Sequence, residues 1–373
     1  MKPAQLLRGV LASFAILAIC VPAQAAITLY DQDTTTFSVD GSFNTFYVHH
    51  DDDTGQTQSR VKMGFLPNWI GFNFGKQAGD LKLGGRSSFW VTINDSDTNG
   101  TSTGIDVRQF YGTVDGDWGQ VLFGKDFTLF NRSNIFLDEI LQGFGKTGGV
   151  PGIDTTGVSF GNIGSGYTYP LPSAQITYRT PNLAGFKLAV GIIDPSRTSG
   201  AGGEETTPRI EGELTFNKKL GQGSVTAWIG FLDQSSKKGA NGNVHSQGLS
   251  YGLNGKLAGF SLTGSGYTGK GIGKVLGPGL AVDALVEGGD EVDSNGYLVQ
   301  GSYTIQKVRV AASYGKSVLD TAVKQEDETI IGAVFYSIND YLKVVAEYNV
   351  ETITTGSNDN EIDTVALGAV LNF

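Results

Sequence analysis

The chain has 373 residues, one cysteine, 54 glycines and a formal net charge of -10. An acidic chain lacks the clustered Lys and Arg that grip phosphate backbones, which excludes nucleic acid as the expected partner. One thiol leaves no disulfide framework and no cysteine-based metal site, while a mean hydropathy of -0.09 suits a soluble protein or a barrel whose strands each keep one wet face.

The N-terminus reads as an export signal. Lys2 and Arg8 precede the apolar run VLASFAILAICV, and Ala23-Gln24-Ala25 places small residues at the cleavage spacing. Residues 1–25 are expected to be removed, leaving one mature domain over 26–373. Cys20 lies inside the signal behind Ile19, where an acylated cysteine needs a small neighbour. Losing the signal takes away two bases and no acids, which moves the charge from -10 to -12. Beyond it no run of 18 apolar residues remains, so no helical membrane span is expected.

Alternating segments bounded by Gly, Asn and Asp then recur to the end of the chain. They predict strands near 36–49, 58–74, 80–93, 105–114, 120–127, 174–180, 186–194 and 208–217, and again near 224–232, 245–254, 260–269, 296–305, 308–317, 328–337, 342–351 and 363–373. Short links such as DGDWG, PNLAG and NGKLAG alternate with long polar ones such as NDSDTNGTSTG, the stretch 128–173 and DPSRTSGAGGEETT. Tight turns at one rim and long loops at the other predict an all-β fold, a transmembrane antiparallel up-and-down β-barrel of 16 strands. A soluble sandwich or propeller has no reason for that asymmetry.

The alternation also assigns faces. In AQITYRT, Ile176 and Tyr178 are expected to face lipid, and in FKLAVGI so are Phe186, Leu188, Val190 and Ile192. Arg209, Glu211, Glu213 and Thr215 of RIEGELTF, like Lys82 and Arg86, are sent to a charged, wet interior, because a lipid-facing Arg or Lys at mid-bilayer costs about 2–4 kcal/mol. The closing IDTVALGAVLNF puts Val365, Leu367, Ala369, Leu371 and Phe373 on the lipid side.

Several apparent chemical motifs carry no chemistry in this setting. GVSFG (157–161) and GLSYG (248–252) fit the nucleophile-elbow spacing but lack its strand-to-helix turn. GSGYTGKG (264–271) has Gly271 where a phosphate-binding loop needs Ser or Thr. His49 and His50 point to opposite strand faces, and His245 is remote. The expectation is no catalysis, no cofactor and no metal.

VRQFYGTVDGDWGQVLFGKDF (107–127), SRVKMGF (59–65), ITYRTPNLAGF (176–186) and the terminal Phe373 together resemble the Gram-negative general porins. The resemblance implies a water-filled outer-membrane channel, homotrimeric and bathed in lipid and lipopolysaccharide, that passes small hydrophilic solutes passively. It also implies a third loop folded into the lumen, with Asp138, Glu139 and Asp154 facing Lys62, Arg108, Lys125 and Arg179 on the wall. Phe373 would be read by the outer-membrane assembly machinery. Two wall positions hold Lys where the family commonly has Arg, which makes the ladder less rigid. Opposed charges across a narrow pore orient polar solutes and hinder apolar ones.

The acidic balance, with DDD at 51–53 and GGDEVD at 288–293 on exposed loops, leads to an expectation of modest cation selectivity. A substrate-selective channel for sugars or small acids is the alternative, favoured if Phe127, Phe130, Phe136, Phe144, Phe160, Tyr167 and Tyr169 formed an aromatic slide. A barrel-anchored enzyme or adhesin would need a catalytic constellation or large external domains, and neither is visible.

Overall fold

A computed structural model describes residues 26–95, 104–147, 159–279 and 283–373; the expected signal and Asp154 lie outside them. The first half of the chain forms β1 (Ile27–Gln32), β2 (Thr35–Asp52), β3 (Thr57–Lys62), β4 (Asn68–Ala78), β5 (Leu81–Val91), β6 (Asp106–Gly116), β7 (Gly119–Asp126), a short helix α1 (Arg132–Phe136), β8 (Ser173–Arg179) and β9 (Phe186–Ile193). The second half forms β10 (Arg209–Leu220), β11 (Gly223–Gly239), β12 (Gly242–Leu257), β13 (Phe260–Lys270), the small hairpin β14 (Val286–Glu287) and β15 (Asp290–Glu291), β16 (Asp293–Ile305), β17 (Val308–Asp320), β18 (Gln325–Ser337), β19 (Leu342–Thr355) and β20 (Asn358–Asn372).

Apart from the hairpin and from β3, which runs in line with β4, each strand runs antiparallel to the next, and β2 closes the ring by pairing with β20 on one edge and β4 on the other. Two of the 18 segments in the sheet are continuations: β1 extends the line of β20 along β2, and β3 extends that of β4. The result is a closed 16-stranded barrel, which leaves no backbone edge unpaired toward lipid.

All sixteen expected strands have counterparts, and the departures have local causes. β1 was not expected because ITLYDQ is exposed throughout and its turn into β2 uses Asp33 and Thr34 at φ 50° and 61° in place of the usual Asn-Gly or Asp-Gly signal. The strand expected at 58–74 is broken over 63–67, where Pro67 cannot donate to a ladder. Asparagine side chains replace the lost bonds: Gly64 N donates to Asn44 Oδ1 (2.6 Å), Met63 N to Asn94 Oδ1 (2.7 Å), and Asn44 Nδ2 to Leu66 O (2.7 Å). The rims are also less unequal than expected, because the far-rim links at 240–241, 321–324 and 356–357 are tight as well.

The exposed outer row is apolar as expected, with Ile176, Tyr178, Phe186, Leu188, Val190 and Ile192 all exposed, and Val365, Leu367 and Leu371 likewise. The inner row departs from a uniformly wet interior. Phe46, Val48, Ala311, Ile331, Ala333, Phe335, Val345, Ala366 and Val370 form a buried apolar cluster with Ile140 and Phe144 of the third connection.

Candidate functional site

The connection between β7 and β8 is joined to strands far around the ring by a series of backbone amides donating to wall side chains. Buried N–H groups need acceptors, and an ionised carboxylate is a strong one. Glu211 Oε2 takes Leu129 N (2.7 Å) and Phe130 N (2.8 Å), and Glu213 Oε1 takes Ser133 N (3.0 Å). On β19, Glu347 takes Phe144 N (3.0 Å) and Gly145 N (2.5 Å), and Glu351 takes Thr147 N (3.2 Å). Between these anchors Gln300 Oε1 accepts Glu139 N (2.7 Å), while Ser317 Oγ accepts Gly166 N (2.8 Å). Glu211, Glu213, Glu347 and Glu351, which strand alternation sends inward, are therefore spent on holding backbone.

Lys146 of the same connection lies 3.4 Å from Asp327 and 3.7 Å from Glu351, and Lys274, just beyond β13, meets Asp327 at 2.6 Å. One carboxylate thus ties two connections together. Close packing at the tip requires glycine. A Cβ on Gly145, whose φ is +75°, would lie 2.2 Å from the Cα of Gly161, and one on Gly64 would lie 2.5 Å from Gly143 O.

The expected constriction residues fare unequally. Asp138 is buried: it accepts from Tyr167 Oη (2.6 Å), Asn162 Nδ2 (3.0 Å) and Ile140 N (2.9 Å), so it braces the connection from within and faces no open space. Glu139 instead reaches the opposite wall, where Arg309 Nη1 donates to its Oε2 at 2.9 Å and Ser302 Oγ at 2.9 Å. Lys62 is buried, with Nζ donating to Asp95 O at 2.5 Å. Arg108 pairs with Asp106 (2.8 Å), donates to Tyr169 Oη (3.0 Å) and lies 5.0 Å from the Trp90 ring centroid.

Arg179 keeps contact with water, donates to Gln120 Oε1 (3.0 Å) and stands 3.9 Å from Asp126, which also pairs with Arg132 at 3.2 Å. Lys125 is a correction. It is paired in register with Phe110, on the same exposed row as Phe123, whereas its neighbour Asp126 occupies the inner row. A carry-over by motif loses the face when it slips by one residue, because side chains alternate with period two.

Phe127, Phe130, Phe136, Phe144 and Tyr167 are buried in apolar clusters, Phe127, Phe130, Phe136 and Tyr167 in the one that holds Trp69 and Trp90, so they form packing rather than an exposed aromatic slide. Sequence reasoning did not single out Arg309, Lys343, Glu347 or Glu351; their inward parity on β17 and β19 was the available signal. Phe373 stacks on Phe43 at 5.6 Å and exchanges backbone hydrogen bonds with Gly41. Ser250 of GLSYG sits within β12, and no cluster of metal-ligating side chains occurs among the described residues.

Burial pushes the Asp138 carboxyl up to about 6, against the opposing hydrogen bonds from Tyr167, Ile140 and Asn162. A raised carboxylate favours the fold while protonated, so its contribution is complete below the ordinary value near 3.8 and is lost as pH rises through 6. The offset is worth roughly 3 kcal/mol. The melting temperature of the protein in micelles should therefore rise between pH 7.5 and pH 5, and Asp138→Asn should flatten that difference. An identical pH profile in the variant would assign the effect elsewhere.

A family model described as Gram-negative porin matches residues 12–369. Among solved structures, an anion-selective porin from Comamonas acidovorans shares 14% identity at a TM-score of 0.67, covering 91% of this chain and 100% of that one. The outer-membrane channel DcaP of Acinetobacter baumannii shares 18% identity at 0.68, covering 93% and 100%. OmpT of Vibrio cholerae in its trimer form shares 17% at 0.57, covering 91% and 100%. No curated protein matches the chain.

Proposed function

The chain belongs to the Gram-negative porins and is an integral outer-membrane channel for passive diffusion of small solutes, and from that premise we propose that its third connection lies inside the lumen and sets the narrowest passage. The observation that carries this reading is the row of wall carboxylates on β10 and β19 that accept backbone amides of one connection. A segment bonded to strands so far apart on a ring must cross the space between them. Porins are channels rather than enzymes, and the solute meets side chains, not chemistry.

The charges assigned to the passage are those that keep contact with water: Glu139 facing Arg309, with Arg179 and the Arg86–Asp40 pair (2.9 Å) on the other wall. Asp138 and Lys62 hold the frame instead. The trimer form of OmpT supports a homotrimer here, with Phe373 as the address read during assembly in the lipopolysaccharide-bearing membrane.

Planar-bilayer recording of the refolded protein tests both parts. Conductance steps in groups of three are expected, and Glu139→Gln should change unit conductance by about half or more because it removes one of two facing charges where the field is focused. A folded barrel that gives no steps would refute the channel; steps unaltered by the substitution would remove Glu139 from the passage.

A further inference from the structure

Net charge describes the whole chain, whereas a permeating ion meets only the inner row of the barrel. Register fixes that row, and it divides the charges unequally. Of the inner-row acids, Asp126, Glu211, Glu213, Asp327, Glu347 and Glu351 are buried under connections and bound to their amides or to a base. In the half near the tight-turn rim, Asp31, Asp40 and Asp115 are the inner-row acids with access to water: Asp40 pairs with Arg86 at 2.9 Å, Asp115 stands opposite Lys82 in the ladder, and Asp31 lies opposite Thr36 beside the rim.

Further bases remain in that half. Lys187, Lys219 and Lys256 lie in line with Thr215, Ser224 and Ser261 on the inner row of β9, β10 and β12, each within a few residues of a tight turn. Lys343, opposite Ser337, completes the set, with its Nζ donating to Gln142 of the third connection. Among the described residues no carboxylate lies within ion-pair distance of any of these four. The tight turns themselves carry Asp33, Asp80, Asp117 and Asp340 against Lys307, with Lys218 on the outer row of β10 beside one of them.

Further acids are clustered at the other end, as in Asp51–Asp53, Asp290–Glu291 and Asp359–Glu361. Even the shortest stave, β8 with 7 residues, spans about 23 Å at a rise of about 3.3 Å per residue, and the Debye length is about 10 Å at 0.1 M salt. The external acids are screened from the inner vestibule.

Resting on the channel reading above, we infer that the near half of the lumen is a vestibule of unmatched lysines that makes the channel select small anionic solutes, carboxylates among them, against the sign of the chain's net charge. The selection is electrostatic, since lysine is a mobile point charge that attracts anions without imposing a fixed geometry. It therefore weakens with salt.

The test is the reversal potential of the refolded protein in a tenfold KCl gradient, with about 0.1 M on the dilute side. The expected result is a chloride-to-potassium permeability ratio of about 3 or more, as a potential of order kT gives, falling toward unity when both sides exceed about 1 M. A triple variant carrying Lys187→Gln, Lys219→Gln and Lys256→Gln should at least halve the ratio while the conductance steps persist. Lys343→Gln alone, measured in parallel, should lower it by a smaller factor. Preference for potassium, or a ratio unmoved in both variants, would overturn the inference while leaving the channel intact. Absence of any conductance would overturn the channel reading and this one with it.

Discussion

With Glu347 and Glu351 both replaced by alanine, unit conductance is expected to rise and the open-channel current to become noisy at constant voltage. The two carboxylates accept Phe144 N, Gly145 N and Thr147 N, and Glu351 also faces Lys146. Truncating them leaves three buried amides without acceptors, each a loss of about 1–3 kcal/mol, and strips one carboxylate from a buried lysine. The total is of the same order as the stability of a small domain, so the segment from Phe144 to Thr147 leaves the wall. Glu347→Gln with Glu351→Gln keeps a carbonyl acceptor at each site and should fall between wild type and the alanine pair. Trypsin provides a second reading, since Lys146 is inaccessible in the native chain and should be cut in the alanine pair. Wild-type conductance and protection in that variant would mean that packing alone holds the connection.

Trp90→Ala is expected to lower the unfolding free energy of the refolded barrel by about 3–5 kcal/mol, the usual result of truncating a buried large aromatic. Trp90 is 1% exposed, stacks on Trp69 with centroids 5.6 Å apart, meets Phe127 edge-on at 6.3 Å, and donates its indole N–H to Ser88 Oγ at 2.7 Å. Arg108 loses the ring face it lies over, while Phe127, the first residue of the third connection, loses its support. Trp90→Phe should recover part of the loss, because it keeps a ring but not the donor. Urea titrations of the three proteins give the comparison; a midpoint for the alanine variant indistinguishable from wild type would show that this cluster contributes nothing to the barrel.

The ring of strands was legible because the outer row must be apolar and the inner row need not be. Arg209, Glu211 and Glu213 could be sent inward on cost alone, and inward they lie. What those side chains do once inside was not legible. Nothing local distinguishes a glutamate that faces water from one that accepts backbone amides from a segment 80 or more residues away, two of them at Glu211 and one at Glu213.

Asp138 and Glu139 illustrate the same limit. Adjacent and alike in sequence, they part because Tyr167 and Asn162 fold back over the first while Arg309 meets the second. Lys125 failed for a simpler reason. The motif placed it correctly along the chain, but the register against Phe110 sets its face. Gly64 could not be read either, since the need for glycine comes from Gly143 O approaching from a distant connection.

The alignment of β1 beneath β20 bears on how the barrel comes to be closed. Gly41 exchanges both of its backbone hydrogen bonds with Phe373, and Val39, two residues earlier, is already paired with Ile27. One stave is thus made from the first and last segments of the described chain, with β2 as the splint that holds them end to end. Ring closure is the contact of greatest sequence separation in the molecule, and such contacts carry the largest loop entropy and form late. Until the final residues arrive, one edge of β2 over Ser42–Asp52 has no partner. The emerging sheet is then an open, adhesive curtain, which some other surface must shelter until the two hems meet.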